Sequence, residues 1–145
     1  TELVFFKRKG EPIMYTTLQD LKPYTIGVAR DSGPYELLKA EFEQNLDIAT
    51  SADLNIQKLM GKRFDLLADE KLNVLHIINT QFPQWRDAIE ILDPPLQINQ
   101  LHVIVSKQRK DPKTIVDAFN HGLKEIQKDG TFEAILKEYN FSETK

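Results

Sequence analysis

The sequence has no cysteine among its 145 residues. That excludes a disulfide framework, a thiolate metal site and a cysteine nucleophile. It is compatible with an oxidising compartment without fixing one. No apolar run approaches the roughly 18 residues that suggest a membrane-spanning helix. Internal repeats and low-complexity segments are missing too. A strong charge bias is also absent: 19 Lys and Arg against 22 Asp and Glu leave a net charge of -3. A general electrostatic grip on nucleic acid is therefore not expected. The one basic run, Lys107-Gln108-Arg109-Lys110, is short and reads as a solvated turn before a helix. Asp31-Ser32-Gly33 lacks the further glycines and the lysine of a phosphate loop, and no GxSxG elbow occurs. His76, His102 and His121 have no histidine companion at the spacing of a metal pair. No catalytic residue, metal or cofactor is predicted. The chain opens at Thr1 with no signal peptide, as expected of a processed chain or an excised piece.

What is present is ordinary for a globular α/β protein. Hydrophobic residues make up 41% and charged residues 28% of the chain. The length suffices for one hydrophobic core, or for one domain and part of another. Leu3 to Phe6 is a short apolar strand, and Leu18 to Pro23 a helical turn stopped by proline. Tyr24 to Ala29, Ile48-Ala49, Phe64 to Ala68, Ile89 to Leu92 and Leu101 to Val105 also read as strands. Between them lie helices. One opens at Asp31-Ser32-Gly33-Pro34 and buries Leu37, Leu38, Phe42 and Leu46. Another is capped by Thr50 or Ser51, carries Leu54, Lys58 and Leu59, and closes at Gly61. A third starts at Asp69-Glu70 and carries Leu72, Leu75, His76 and Ile78. This alternation predicts βαβ units and a mostly parallel sheet flanked by helices.

In an open α/β sheet, ligands bind beyond the carboxyl ends of the strands. The loops Arg30-Asp31-Ser32-Gly33 and Asp69-Glu70 follow two such ends. A helix N-terminus offers free N–H groups to an anion, so the turn at Ser32 suits a carboxylate. Asp69 suits an ammonium through a charge-assisted hydrogen bond. Together they suit a zwitterion. On spacing alone Ser32 and Asp69 read first as the N-caps of their helices, and Arg30 either neutralises Asp31 or Asp69 or faces water. Asp65, inside an apolar strand, reads as a satisfied carboxylate. Trp85, near Phe82, is either a binding aromatic or a packed one.

The stretch from Asp111 to Phe141 is the most specific. Asp111 is placed to cap and Pro112 to begin a helix. Ile115, Phe119, Leu123 and Ile126 form its stripe. Asp129-Gly130 ends it and Thr131 is placed to cap a second helix, striped by Phe132, Ile135, Leu136 and Tyr139. This pattern resembles the C-terminal signature of bacterial type II periplasmic solute-binding proteins that serve ABC importers for polar amino acids. DLKPYTIGVARDSG and LMGKRFDLLADEKL resemble two second-lobe segments of that family. The resemblance implies that Asp69 meets a ligand ammonium and that the turn at Ser32 and Gly33 meets a carboxylate. Gly33 stands where such proteins often have threonine. It further implies residues 1–6 as a crossing strand, 7–98 as the ligand-binding lobe two, and 99–145 as a return segment of an incomplete lobe one. The arginine that clamps the ligand carboxylate would belong to the missing part. The implied function is a periplasmic or extracellular receptor for a small polar solute, delivering it to an ABC permease. The same fold also serves as a ligand-sensing domain of membrane signalling proteins and, less often, as a dehydratase-like enzyme. Nothing apolar follows Phe141, which would favour the free-standing receptor were Lys145 the natural end. The helical pair at the end, deprived of its sheet, is expected to repack locally or to pair with a second copy as a homodimer.

Overall fold

In the computed structural model, which describes residues 1–139, the chain divides into two compact units, Thr1–Gln100 and Leu101–Lys145. The first unit is built on a five-stranded sheet of order β3-β2-β4-β1-β5. Its strands are β1 (Glu2–Arg8), β2 (Ile26–Ala29), β3 (Leu46–Ala49), β4 (Leu66–Glu70) and β5 (Ile89–Ile98). Leu3, Val4, Phe5 and Phe6 are all buried. An unbroken buried run on one strand means that both faces of the sheet are covered. Phe5, Ile26, Val28, Leu66 and Ala68 pack on one face, with Leu38 and Phe42 of α1 (Gly33–Phe42) and with Ile13 and Tyr15 of the loop after β1. Val4, Phe6 and Leu67 pack on the other, with Ile56 and Leu59 of α2 (Ala52–Met60) and Val74 and Ile78 of α3 (Lys71–Gln81). The architecture is helix, sheet, helix. The alternation of side chains along each strand sorts the two clusters.

The parallel sheet expected from the βαβ pattern is found in β3-β2-β4, where both pairings are parallel. β1 pairs antiparallel with β4 and with β5, so the whole sheet is mixed. Gly27 is required where it stands. A Cβ there would lie 2.1 Å from the Phe64 ring. At the far edge Arg8 fastens the layers, donating from Nη1 to the carbonyls of Leu59 at 2.8 Å and Phe64 at 2.7 Å.

Several sequence expectations shift. Leu37 is exposed rather than buried, at 43%, and Leu54 and His76 are exposed as well. Asn55 and Ile56 take the buried face of α2 instead, because that face is set by the sheet beneath the helix and not by the leucines alone. The helix expected to include Leu46 ends at Phe42, and Leu46 begins β3. β5 runs through Asp93-Pro94-Pro95, whose Asp93-Pro94 peptide is cis, where a break was expected. β5 is an edge strand, where proline is tolerated.

The second unit consists of α4 (Pro112–Lys128) and α5 (Thr131–Glu138), which contact each other. Gly130, at φ 84°, is the N-cap of α5 in place of the expected Thr131, whose N–H instead meets Asp129 Oδ1 at 2.9 Å. Asp111 caps α4 with its backbone alone, at φ 54°. The strand expected at 101–105 does not form. A strand needs a neighbour for its N–H and C=O groups, and no described strand pairs with this segment. Leu101 and Ile104 are 80% and 91% exposed. No residue of α4 or α5 is buried. Asn140 and Phe141, the end of the motif, lie outside the described residues.

Candidate functional site

β2 and β4 are parallel neighbours, in register at Ile26 with Leu66 and Gly27 with Leu67. Two residues beyond the last of these pairs come Ala29 and Asp69. The loop from Arg30 and the turn at Asp69 therefore leave the sheet at the same edge. β1 reaches that edge from the other side of β4, with Val4 opposite Asp69 and Leu3 opposite Glu70.

Asp69 is the unusual group. It is only 7% exposed. Its Oδ1 accepts the Glu70 N–H at 2.7 Å, while its Oδ2 is buried with no hydrogen-bond partner among the described residues. Burial pushes its proton affinity above the ordinary aspartate range, against the pull of the Glu70 N–H and the nearby Asn73 amide, and the Glu70 charge adds to the rise. Capping, the alternative role for Asp69, falls to the next residue: Glu70 is the N-cap of α3 and accepts the Asn73 N–H at 2.6 Å. Glu70 also accepts the Thr1 hydroxyl. Lys71, the nearest cation in sequence, is paired with Glu2 at 2.7 Å.

The loop after β2 turns through Asp31, held at a left-handed φ of 56°. Arg30 donates its N–H to the Ala49 carbonyl at 2.9 Å, and its side chain and that of Asp31 are exposed. Neither makes an ion pair with Asp69 among the described residues. Ser32 caps α1, its hydroxyl accepting the Tyr35 N–H at 3.3 Å. That bond uses an acceptor lone pair of the hydroxyl and leaves its proton to donate. The Gly33 N–H remains, in a first turn where a helix has no acceptor of its own. Gly33 is exposed, and a Cβ there would come 3.3 Å from Leu3 Cδ1 on β1. An approaching carboxylate finds backbone rather than side chain at this point.

The arrangement is a buried carboxylate oxygen at the end of β4, with no partner among the described residues, and an open helix N-terminus that follows the end of the neighbouring strand β2. It has the chemistry to hold a small solute with a cationic and an anionic end. A concavity of about 700 Å³ lies toward the opposite end of β1, lined by Lys7, Ile13, Tyr15, Glu90 and Asp93 among others. Lys7 pairs there with Glu90 at 3.3 Å. It shares no residue with the strand-end site. The remaining candidates sit elsewhere. Trp85 stacks on Phe82, centroids 4.8 Å apart, and packs against the second core cluster. Asp65 accepts the N–H and hydroxyl of Thr25, each at 2.9 Å. No group of three or more potential metal ligands exists among the described residues. None of the described helices is long and apolar enough to cross a membrane. Sequence reasoning passed over Asn55, whose buried and partnerless side chain no spacing rule announces.

No protein-family model and no curated protein matches the sequence. Solved structures do. The second substrate-binding domain of an amino acid ABC transporter from Streptococcus pneumoniae matches at a TM-score of 0.70 and 18% identity, over 95% of this chain and 60% of that one. A mutant of ArgBP from T. maritima matches at 0.71 and 18%, over 98% of this chain and 58% of that one. A histidine kinase sensor domain with similarity to periplasmic binding proteins matches at 0.62 and 17%, over 95% and 58%. This chain thus spans about three fifths of the length of the structures it resembles. At such identities the likeness speaks for the fold. The chain has the α/β fold of a periplasmic-binding-protein lobe, as found in substrate-binding domains of amino acid ABC transporters.

Proposed function

We propose that Thr1–Gln100 is the ligand-binding lobe of a two-lobed receptor for a small zwitterionic solute such as an amino acid. In this reading Asp69 Oδ2 accepts the solute ammonium and the Gly33 N–H, with the α1 dipole behind it, meets the carboxylate. Arg30 and Asp31 stand at the rim and bias which side chains approach. The observation that carries the reading is the buried Asp69 oxygen with no partner among the described residues. An orphaned acceptor of that kind costs about 1–3 kcal/mol unless something meets it, and a cationic ligand meets it best.

Residues 1–6 act as the crossing strand, and 99–145 return to a second lobe whose other part lies outside this sequence. The uncovered apolar faces of α4 and α5 and the partial span of the matched structures support this division. Delivery to an ABC permease from the periplasmic or extracellular side is the role proposed for the parent protein. The likeness to a histidine kinase sensor domain favours signalling as the second reading. Both readings are of a binding protein, not an enzyme. A single lobe supplies roughly half of the contacts that closure around a ligand provides, so affinity here is expected to be millimolar or weaker. The test is a heteronuclear NMR titration with arginine, glutamine or glutamate against their N-acetyl derivatives. Free amino acids shift the resonances and N-acetylated ones do not. Equal responses to both would refute an ammonium at Asp69.

A further inference from the structure

Asn55 lies on α2 with no exposed surface, and neither its Nδ2 nor its Oδ1 has a hydrogen-bond partner among the described residues. A buried amide so placed is rare, because buried polar side chains in native proteins are met by protein or by internal water. Its surroundings are apolar on one side. The next residue, Ile56, and Leu59 one turn on both belong to the cluster of Val4, Leu67 and Val74.

The other buried, partnerless side-chain oxygen among the described residues is Asp69 Oδ2. Asp69 follows Leu67 by two residues on β4 and stands opposite Val4 on β1, so the period of two puts it on the face those residues share. That is the face on which α2 and α3 pack, and α2 contacts both β4 and α3. Direction matters as well. α2 begins three residues after β3, at the edge where the parallel strands end, and runs back toward the far edge, where the Leu59 carbonyl meets Arg8. Asn55 is about 6 Å nearer the strand ends than Leu59 by helical rise. Asp69 is about 10 Å nearer them than Leu66. Both orphaned groups therefore occupy the strand-end half of one helix–sheet layer.

We propose that Asn55 and Asp69 are joined through an internal water and that Asn55 is a positioning residue for the Asp69 carboxylate. The water donates to one lone pair of Asp69 Oδ2 and to Asn55 Oδ1 and accepts from Asn55 Nδ2, which leaves the second lone pair of Oδ2 to a ligand ammonium. Those three contacts are the usual complement for a buried water. The bridge holds the carboxylate in its charged form and aims it at the strand edge. The charged groups around it leave this task to the Glu70 N–H and to the amides of Asn73 and Asn55. On β4 Glu70 repels, at the start of α3 Lys71 is paired with Glu2 of β1, and on α2 Lys58 is paired with Asp47 at 2.5 Å, with Asp53 a further anion. The functional consequence rests on the reading of Asp69 as the ammonium acceptor, but the bridge itself does not.

The experiment is free of ligand. In the intact chain, NMR cross-relaxation between water and the Asn55 amide protons should show a long-lived internal water. A carbon-detected carboxyl titration should show Asp69 binding its proton about tenfold more tightly in Asn55→Leu than in the parent. A double-mutant cycle of Asn55→Leu with Asp69→Asn should show coupling of about tenfold in the unfolding constant. If Asn55→Leu does not fold, Asn55→Ala is read by the same titration. An unmoved Asp69 titration, additive variants or no water contact at Asn55 would each overturn the bridge. Loss of amino-acid binding in the NMR titration of the parent, with these results intact, would overturn only the ligand reading.

Discussion

Thr1–Gln100 and the Leu101–Lys145 unit carry the same raw material, amphipathic helices with regular apolar stripes, and put it to different use. In the first, α1 and α2–α3 lie on opposite faces of a sheet, and Phe5, Phe6, Leu66 and Leu67 are completely buried between them. In the second, α4 has a well-formed stripe, yet Ile115 and Phe119 are 38% and 46% exposed and nothing in either helix is buried. The difference is the sheet. Two helices of 17 and 8 residues cannot cover each other's apolar faces, because a stable layer needs a second surface to bury against. A stripe in sequence therefore announces where a helix must pack, not that its partner is at hand.

The sharpest way to break this comparison is amide hydrogen exchange on the intact chain. The amides of Phe5, Phe6, Leu66 and Leu67 are expected to exchange only on global unfolding, and those of α4 through local opening, at least about a hundredfold faster. Equal protection in both would remove the distinction. Next in size, Phe6→Ala should cost about 3–5 kcal/mol in urea unfolding, against about 0.5 kcal/mol for Phe119→Ala. Gly27→Ala sharpens the account of the first unit. Its Cβ meets the Phe64 ring, so a loss of about 1–3 kcal/mol is expected. At the site, Asp69→Asn tests linkage to pH. Burial raises the folded proton affinity of Asp69, so the folded state holds its proton more firmly than the unfolded one. The resulting destabilisation is absent below the unfolded value of about 3.9 and grows as pH rises through the raised folded value. Parent and variant should match in their pH trend at acid pH, and the parent should lose ground to Asp69→Asn toward neutrality. A parallel trend throughout would contradict the burial argument. The smallest effect is expected from the caps. Ser32→Ala should cost about 1 kcal/mol, and Asp111→Ala less, since the Asp111 side chain makes no capping bond.

Much of the fold was legible from local chemistry. The continuous apolar run at Leu3 to Phe6, the Ser32-Gly33-Pro34 opening and the Gly61 stop each use a rule that acts within a few residues. Leu37 misled because the helix face that is buried depends on the sheet below, which is built from distant strands. The segment Leu101–Val105 misled for the same reason, since β-propensity needs a pairing neighbour. At the site, the two strand-end loops were found from topology, and the parallel β2–β4 register brings them to one edge. What no pattern revealed was how each group is engaged: that the Ser32 hydroxyl accepts as the cap of α1, that Glu70 rather than Asp69 caps α3, and that Asn55 lies buried on α2.

The central claim, that the strand-end edge of the first unit is the ligand surface, is tested most directly by mapping amide shifts during titration with an amino acid at millimolar concentration. The account predicts the largest shifts at Gly33, Asp69 and Glu70, and their loss in Asp69→Asn. Shifts centred instead on the concavity at Lys7, Tyr15 and Asp93, or unchanged in Asp69→Asn, would contradict it.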